Sequence, residues 1–126
     1  MKFICLYGLN EAKMTDDYAA QHWAKHRAEF VSDPRFDDCV TEDDCVKKYN
    51  EIADNLSSKK VEKSTDLDSR YVGYVGKNNI NIKYDTETKD FIAYRKNIVT
   101  TLHKKDKKAY LRILKRDFKK EFSYNQ

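Results

Sequence analysis

The hydrophobic period of this chain changes once, near Arg70, and that change limits the fold more than any other feature of the sequence. After it, apolar residues alternate with polar ones in four short segments, 71–75, 79–84, 91–95 and 98–103, all rich in aromatic and β-branched side chains. Period two with those residue types predicts strands. The breaks between them, 76–78, 85–90 and Lys96-Asn97, hold too few residues for the crossover that parallel strands need. Hairpins are what remain, so the second half is expected to be an antiparallel meander.

Before Arg70 the period is helical. Thr15 is a candidate N-cap with Asp16 and Asp17 behind it, and a helix is predicted from there to about Val31, stopped by Ser32-Asp33-Pro34. A second helix opens at Thr41, with Cys45, Val46, Tyr49, Ile52, Ala53 and Leu56 at helical spacing. Residues 57–69 are uniformly polar and read as a loop, and residues 1–9 as a short apolar strand or anchoring segment. From about Lys105 a basic helix closes the chain, with Tyr110, Leu114, Phe118 and Phe122 along one face. Helices, a four-stranded antiparallel sheet and a last helix make an α+β fold, expected to form one domain over residues 1–126.

With 126 residues, 40% of them hydrophobic and 13% aromatic, the chain has material for an ordinary core, and the aromatic content argues against disorder. Its three Gly do not form a phosphate-binding loop pattern. Cys5, Cys39 and Cys45 cannot all pair and lack the spacing of a zinc site, so neither metal nor cofactor is expected, and a reducing compartment is. The apolar runs are too short to span a bilayer, and the first residues lack a signal-peptide pattern, which together suggest a cytoplasmic protein with no membrane partner. Charge is divided unevenly. Residues 1–69 carry 10 basic and 15 acidic side chains, whereas residues 70–126 carry 15 and 6. A net −5 beside a net +9 points to a polyanion partner for the second half.

On the first helix, Ala19, Ala20, Trp23, Ala24, Phe30 and Val31 share the arc that should face the core. His22 and His26, four apart, lie together at its boundary, where two imidazoles can act as an acid–base pair, ligate a metal, or simply sit at the surface. In the sheet, a two-residue turn at Lys96-Asn97 makes Tyr94 oppose Val99 and Ile92 oppose Thr101. Carried to the preceding strand, this expects Ile80, Ile82, Tyr84, Phe91, Ala93, Ile98 and Leu102 on a packed face. The other face receives Asn79, Asn81, Lys83, Tyr94, Thr101 and His103. Such a face is either an ordinary solvated one or a surface for binding phosphate.

Three stretches in order carry a resemblance. They are His22-Trp23-Ala24-Lys25-His26-Arg27-Ala28-Glu29-Phe30, the segment from Asn81 to Tyr94 with Tyr84-Asp85-Thr86-Glu87-Thr88 at its turn, and Ile98-Val99-Thr100-Thr101-Leu102-His103-Lys104. Together they resemble phage and polymorphic-toxin ribonucleases of the barnase–EndoU–colicin–RelE-like fold, over roughly residues 18–118. The resemblance implies His22 and His26 as catalytic histidines. It also implies a catalytic threonine, Thr100 by simplest alignment or Thr101 if shifted by one, the latter favoured by the expected facing. Lys83, Tyr94, Arg95, His103 and Lys104 are the candidate substrate-binding residues. Arg27 stands where that family has Gly, and Val99 where it has a basic residue.

The function these readings imply is a metal-independent endoribonuclease, a cytoplasmic hydrolase-type nuclease of toxin or phage origin. It would cleave RNA, transfer RNA included, by 2′-hydroxyl attack to leave a 2′,3′-cyclic phosphate. A cognate immunity or antitoxin protein is the implied protein partner. The second reading is a catalytically inactive, phage-encoded binding or inhibitor protein that acts on a host protein or nucleic acid.

Overall fold

The computed structural model of the chain describes residues 14–63, 67–75, 80–96 and 98–117. The expectations for residues 1–9, for the 76–78 turn, for Asn79 and for Phe118 and Phe122 fall outside them. Among the described residues the fold is α+β: two helices, a four-stranded antiparallel sheet and a C-terminal helix. We label these α1 (Asp16–His26), α2 (Glu42–Ser57), β1 (Tyr71–Val75), β2 (Ile80–Asp85), β3 (Asp90–Arg95), β4 (Ile98–Lys104) and α3 (Lys107–Asp117).

Local chemistry explains where the helices start and stop. The Thr15 hydroxyl accepts the Tyr18 N–H at the head of α1. At α2, Thr41 accepts the Asp44 N–H while the Asp44 carboxylate returns to the Thr41 N–H, a reciprocal pair that satisfies two orphan donors. The predicted first helix is shorter than expected as a regular α-helix. It ends at His26, whose φ of −110° departs from helical values, and Arg27–Phe30 continue as a tight 3-10 turn. That turn throws Phe30 into the core, while Val31 stays 79% exposed and Ala20 and Ala24 face solvent.

The strands pair in the order β1-β2-β3-β4, as a meander does. The β3–β4 register begins as expected, with Arg95 opposite Ile98 and Tyr94 opposite Val99. It then shifts by one: Ala93 faces Thr101, Ile92 faces Leu102 and Phe91 faces His103. Thr100 is the extra residue of a β-bulge, and its hydroxyl donates to the Ala93 carbonyl at 3.0 Å. Because side chains alternate with period two, one inserted residue exchanges the faces of everything beyond it. Leu102 therefore leaves the face of Phe91, and Thr101 and His103 join it, which overturns the expected facing of all three.

The expected polar face is absent as well, because helices cover both sides of the sheet. Ile92, Val99 and Leu102 pack against Trp23, Phe30, Tyr49, Ile52 and Leu56 of the N-terminal half. On the opposite side Val72, Tyr74, Ile82, Tyr84 and Phe91 pack against Tyr110 and Leu114 of α3. A sheet buried on two faces exposes only its edges, and here the edges are managed. Along β1, Glu62 bridges to Val72 in parallel, its N–H and carbonyl bonded to Tyr71 and Gly73. Along β4, the outward backbone groups meet side chains instead, and that edge holds the site.

Candidate active site at the edge of the sheet

α1 and the 3-10 turn run beside β4. Tyr18 Oη donates to the Thr100 carbonyl at 2.7 Å, and the Lys104 N–H donates to Glu29 Oε1 at 2.9 Å. These two bonds tie the helix to the strand at both ends of the bulged segment. Between them lie the three histidines. His22 and His26, one helical turn apart, have ring centroids 5.6 Å from each other. His26 is stacked on His103 of β4 at 5.0 Å, with the planes 16° apart. The series extends at both ends, to Tyr18 at 4.5 Å from His22 and to Phe91 at 5.5 Å from His103.

Glu29 organises this row. Its Oε2 lies 2.6 Å from Nδ1 of His26, while its Oε1 accepts the Lys104 N–H. A carboxylate only accepts, so Nδ1 carries the proton and Nε2 is the nitrogen left for chemistry. Burial raises the Glu29 carboxyl, but the His26 and Lys104 hydrogen bonds outweigh it and leave the net pKa lowered. On His103, Nδ1 lies 3.4 Å from the Lys104 carbonyl and so donates, which again leaves Nε2 with its lone pair. Burial first, then the Lys105 charge, lowers the His103 pKa from 6.5, and burial followed by His26 and Lys25 lowers that of His22. Both are neutral bases at pH 7.

Lys105 completes the constellation. Its ammonium sits 5.4 Å from the Phe91 ring centre, beside His103, and burial followed by the Arg116 and Arg112 charges lowers its pKa. The bulge sets which threonine joins in. Thr101 lies on the His103 side of β4, whereas Thr100 binds Ala93 with its hydroxyl and Tyr18 through its carbonyl.

Four of the candidates stand apart from the histidines. Lys83 donates to the carbonyls of Ser57 and Lys59, capping the C-terminus of α2, and lies 5.5 Å from the Tyr94 ring centre. Tyr94 itself packs on the N-terminal side of the sheet. Arg95 is exposed at the end of the β3–β4 hairpin. Lys104 turns inward, with its ammonium 2.8 Å from Asp33 Oδ2 and 3.1 Å from Asp90 Oδ1, so it is a structural cation. Only its main chain reaches the site.

Glu29 and Lys105 are site residues that the sequence pattern does not single out. Glu29 lies three residues after His26 inside the His22–Phe30 stretch, and that spacing is its signal. Tyr84 and Asp85, in the second of the three resembling stretches, build structure. The Asp85 carboxylate accepts the Glu87 and Thr88 N–H groups at the β2–β3 turn and pairs with Arg70, while Tyr84 Oη donates to the Lys105 carbonyl.

Among the described residues, no three His, Cys, Asp or Glu side chains are grouped as a metal site requires. No helix among them is long and apolar enough to cross a membrane. A separate cleft between α1 and α2 is lined by Asp16, Asp17, Asp43, Asp44, Glu51 and Asp54 together with Lys47. Comparison of the chain with protein-family models, with curated proteins and with solved structures finds no match.

Proposed function

We propose that this protein is an endoribonuclease that cleaves RNA by general acid–base catalysis at the edge of β4. The observation that carries the proposal is the Glu29–His26–His103 arrangement: two stacked imidazoles, each with Nδ1 occupied, one held by a carboxylate and the other neutral. That is the complement needed to move two protons in opposite directions. His103 Nε2 takes the proton of a ribose 2′-hydroxyl, whose oxygen attacks the adjacent phosphorus. His26, its Nδ1 held by Glu29, gives a proton from Nε2 to the departing 5′-oxygen. The products are a 2′,3′-cyclic phosphate and a free 5′-hydroxyl. Lys105 and the Thr101 hydroxyl are the donors for the phosphorane oxygens, and His22 buttresses His26 from the next helical turn. The attacking oxygen belongs to the substrate, so the protein supplies no covalent nucleophile.

The test is incubation of the purified protein with total RNA and with transfer RNA, reading fragment ends for cyclic phosphate. The expected result is cleavage that His26→Ala and His103→Ala abolish. Binding of RNA with no cleavage in any condition would instead favour a binding protein on the same fold.

A further inference from the structure

The histidine row does not end at His103. Through Phe91 it reaches Lys105, and Lys105 opens a groove along α3 that is lined by Lys105, Ala109, Arg112, Ile113, Lys115 and Arg116. Ala109, Arg112, Ile113 and Arg116 fall at i, i+3, i+4 and i+7, one stripe of the helix beside its buried Tyr110 and Leu114. Among the described residues, its lining holds four cations.

The charges of Arg116 and Arg112 both act on the Lys105 ammonium, against those of Glu29 and Asp106, and the lining gathers like charge along the helix. Gathering like charges costs free energy that an anion in the groove returns. The groove also begins at the residue that flanks the proposed catalytic pair. We infer that it binds the backbone phosphates of single-stranded RNA next to the cleaved one, so that the substrate is a strand of several nucleotides rather than a mononucleotide. This deepens the endoribonuclease reading and rests on it for the position of the scissile phosphate. Arg112 and Arg116, four apart on one stripe, are the phosphate clamp, and their planar guanidinium groups suit paired oxygens.

The inference is about place, not overall charge, and the test separates the two. An eight-nucleotide 2′-O-methyl RNA lacks the attacking hydroxyl, so its binding, read by fluorescence anisotropy across a salt series, is independent of cleavage. Arg112→Gln with Arg116→Gln should weaken binding at least several-fold and reduce the salt slope by about 0.7 for each phosphate no longer neutralised. Lys60→Gln with Lys63→Gln removes the same charge from the exposed segment along the opposite edge of the sheet, and should change affinity less than twofold. Equal losses of affinity from the two pairs would show that only net charge matters and would overturn the clamp. So would unchanged affinity in the arginine pair, or failure of the native protein to hold the oligonucleotide at low salt. Groove-specific binding without any cleavage by the native protein would refute the nuclease reading and leave the groove standing.

Discussion

The Glu29 carboxylate touches His26 Nδ1 at 2.6 Å with one oxygen and the Lys104 N–H of the neighbouring strand at 2.9 Å with the other. One side chain thus fixes both the tautomer of an imidazole and the spacing between helix and strand. Glu29→Gln keeps the shape and an acceptor oxygen but removes the carboxylate charge that faces His26 Nδ1. It should lower kcat on RNA by roughly 10²–10⁴-fold, the range of a general acid–base contribution, with little change in KM. Near-native kcat in this variant would remove Glu29 from the mechanism.

The pH dependence follows from the neutral histidines. His103 and His22 have pKa values below 6.5 because burial opposes their charge, so their lone pairs persist below that pH. The acidic limb of kcat/KM should accordingly fall below pH 6.5. Stability carries the same sign. A folded-state pKa depressed below the unfolded value means that the unfolded chain binds protons first. The contribution of His103 is then complete above about pH 6.5 and is lost as pH falls through the folded value. Melting temperature should decline over this window in the native protein and decline less in His103→Asn. A parallel decline in both would show that His103 is not the group being titrated.

How much of this was legible differs by level. The strands were, to within a residue or two, because Val, Ile, Tyr and Phe at period two leave few other solutions, and Thr15 and Thr41 marked the helix starts by their capping chemistry. The facing of Ile82, Tyr84, Phe91 and Ala93 was legible too, but the facing of β4 beyond Thr100 was not, because the bulge depends on partners from elsewhere. Tyr18, 82 residues away in sequence, holds the Thr100 carbonyl, and neither neighbour of Thr100 signals that. Two histidines of the site were readable from their spacing. Their meeting with His103 was not, since the expected register put His103 on the other face. Lys83 and Lys104 look like surface cations in the sequence, yet carbonyls and carboxylates inside the fold claim both ammonium groups.

A buried ion network holds the far end of the site. Asp90, 2% exposed, accepts from Arg35 at 2.8 Å, from Thr88 at 2.8 Å and pairs with Lys104 at 3.1 Å, while Asp33 takes Arg35 and Lys104 at 2.6 and 2.8 Å. Removing one partner from such a network strands the others in low dielectric. Asp90→Asn should therefore cost about 3 kcal/mol in urea unfolding, at the lower end of that class because Arg35 stays partly in solvent. Burial raises the Asp33 carboxyl, but the Arg35 and Lys104 hydrogen bonds outweigh it and hold its pKa far below the usual range. Its stabilising effect is full above the unfolded value of about 3.9 and fades as pH falls further. Substituting Asp33 by Asn should flatten the acid end of the stability curve. An Asp90→Asn variant as stable as the native chain would refute the network's role.

Gly73 tests the other edge of the sheet, away from all proposed chemistry. It lies opposite Lys83 in the β1–β2 pair, and its N–H donates to the Glu62 carbonyl of the bridging segment. A Cβ placed there would come within 2.3 Å of the Ile82 carbonyl oxygen and 3.1 Å of Val61 Cγ2. The first clash is with backbone, so relief requires β1 to move from β2, and with it Val72 and Tyr74 of the α3-side core. Gly73→Ala should lose about 2–3 kcal/mol, the upper part of the overpacking range, measured as a shift in the urea midpoint. Adding Val61→Ala relieves only the second clash, so the double variant should recover little of the loss. Full recovery would locate the constraint in the Val61 side chain rather than in the β1–β2 register. A fully stable Gly73→Ala single variant would mean that β1 does not approach β2 as closely as this register requires.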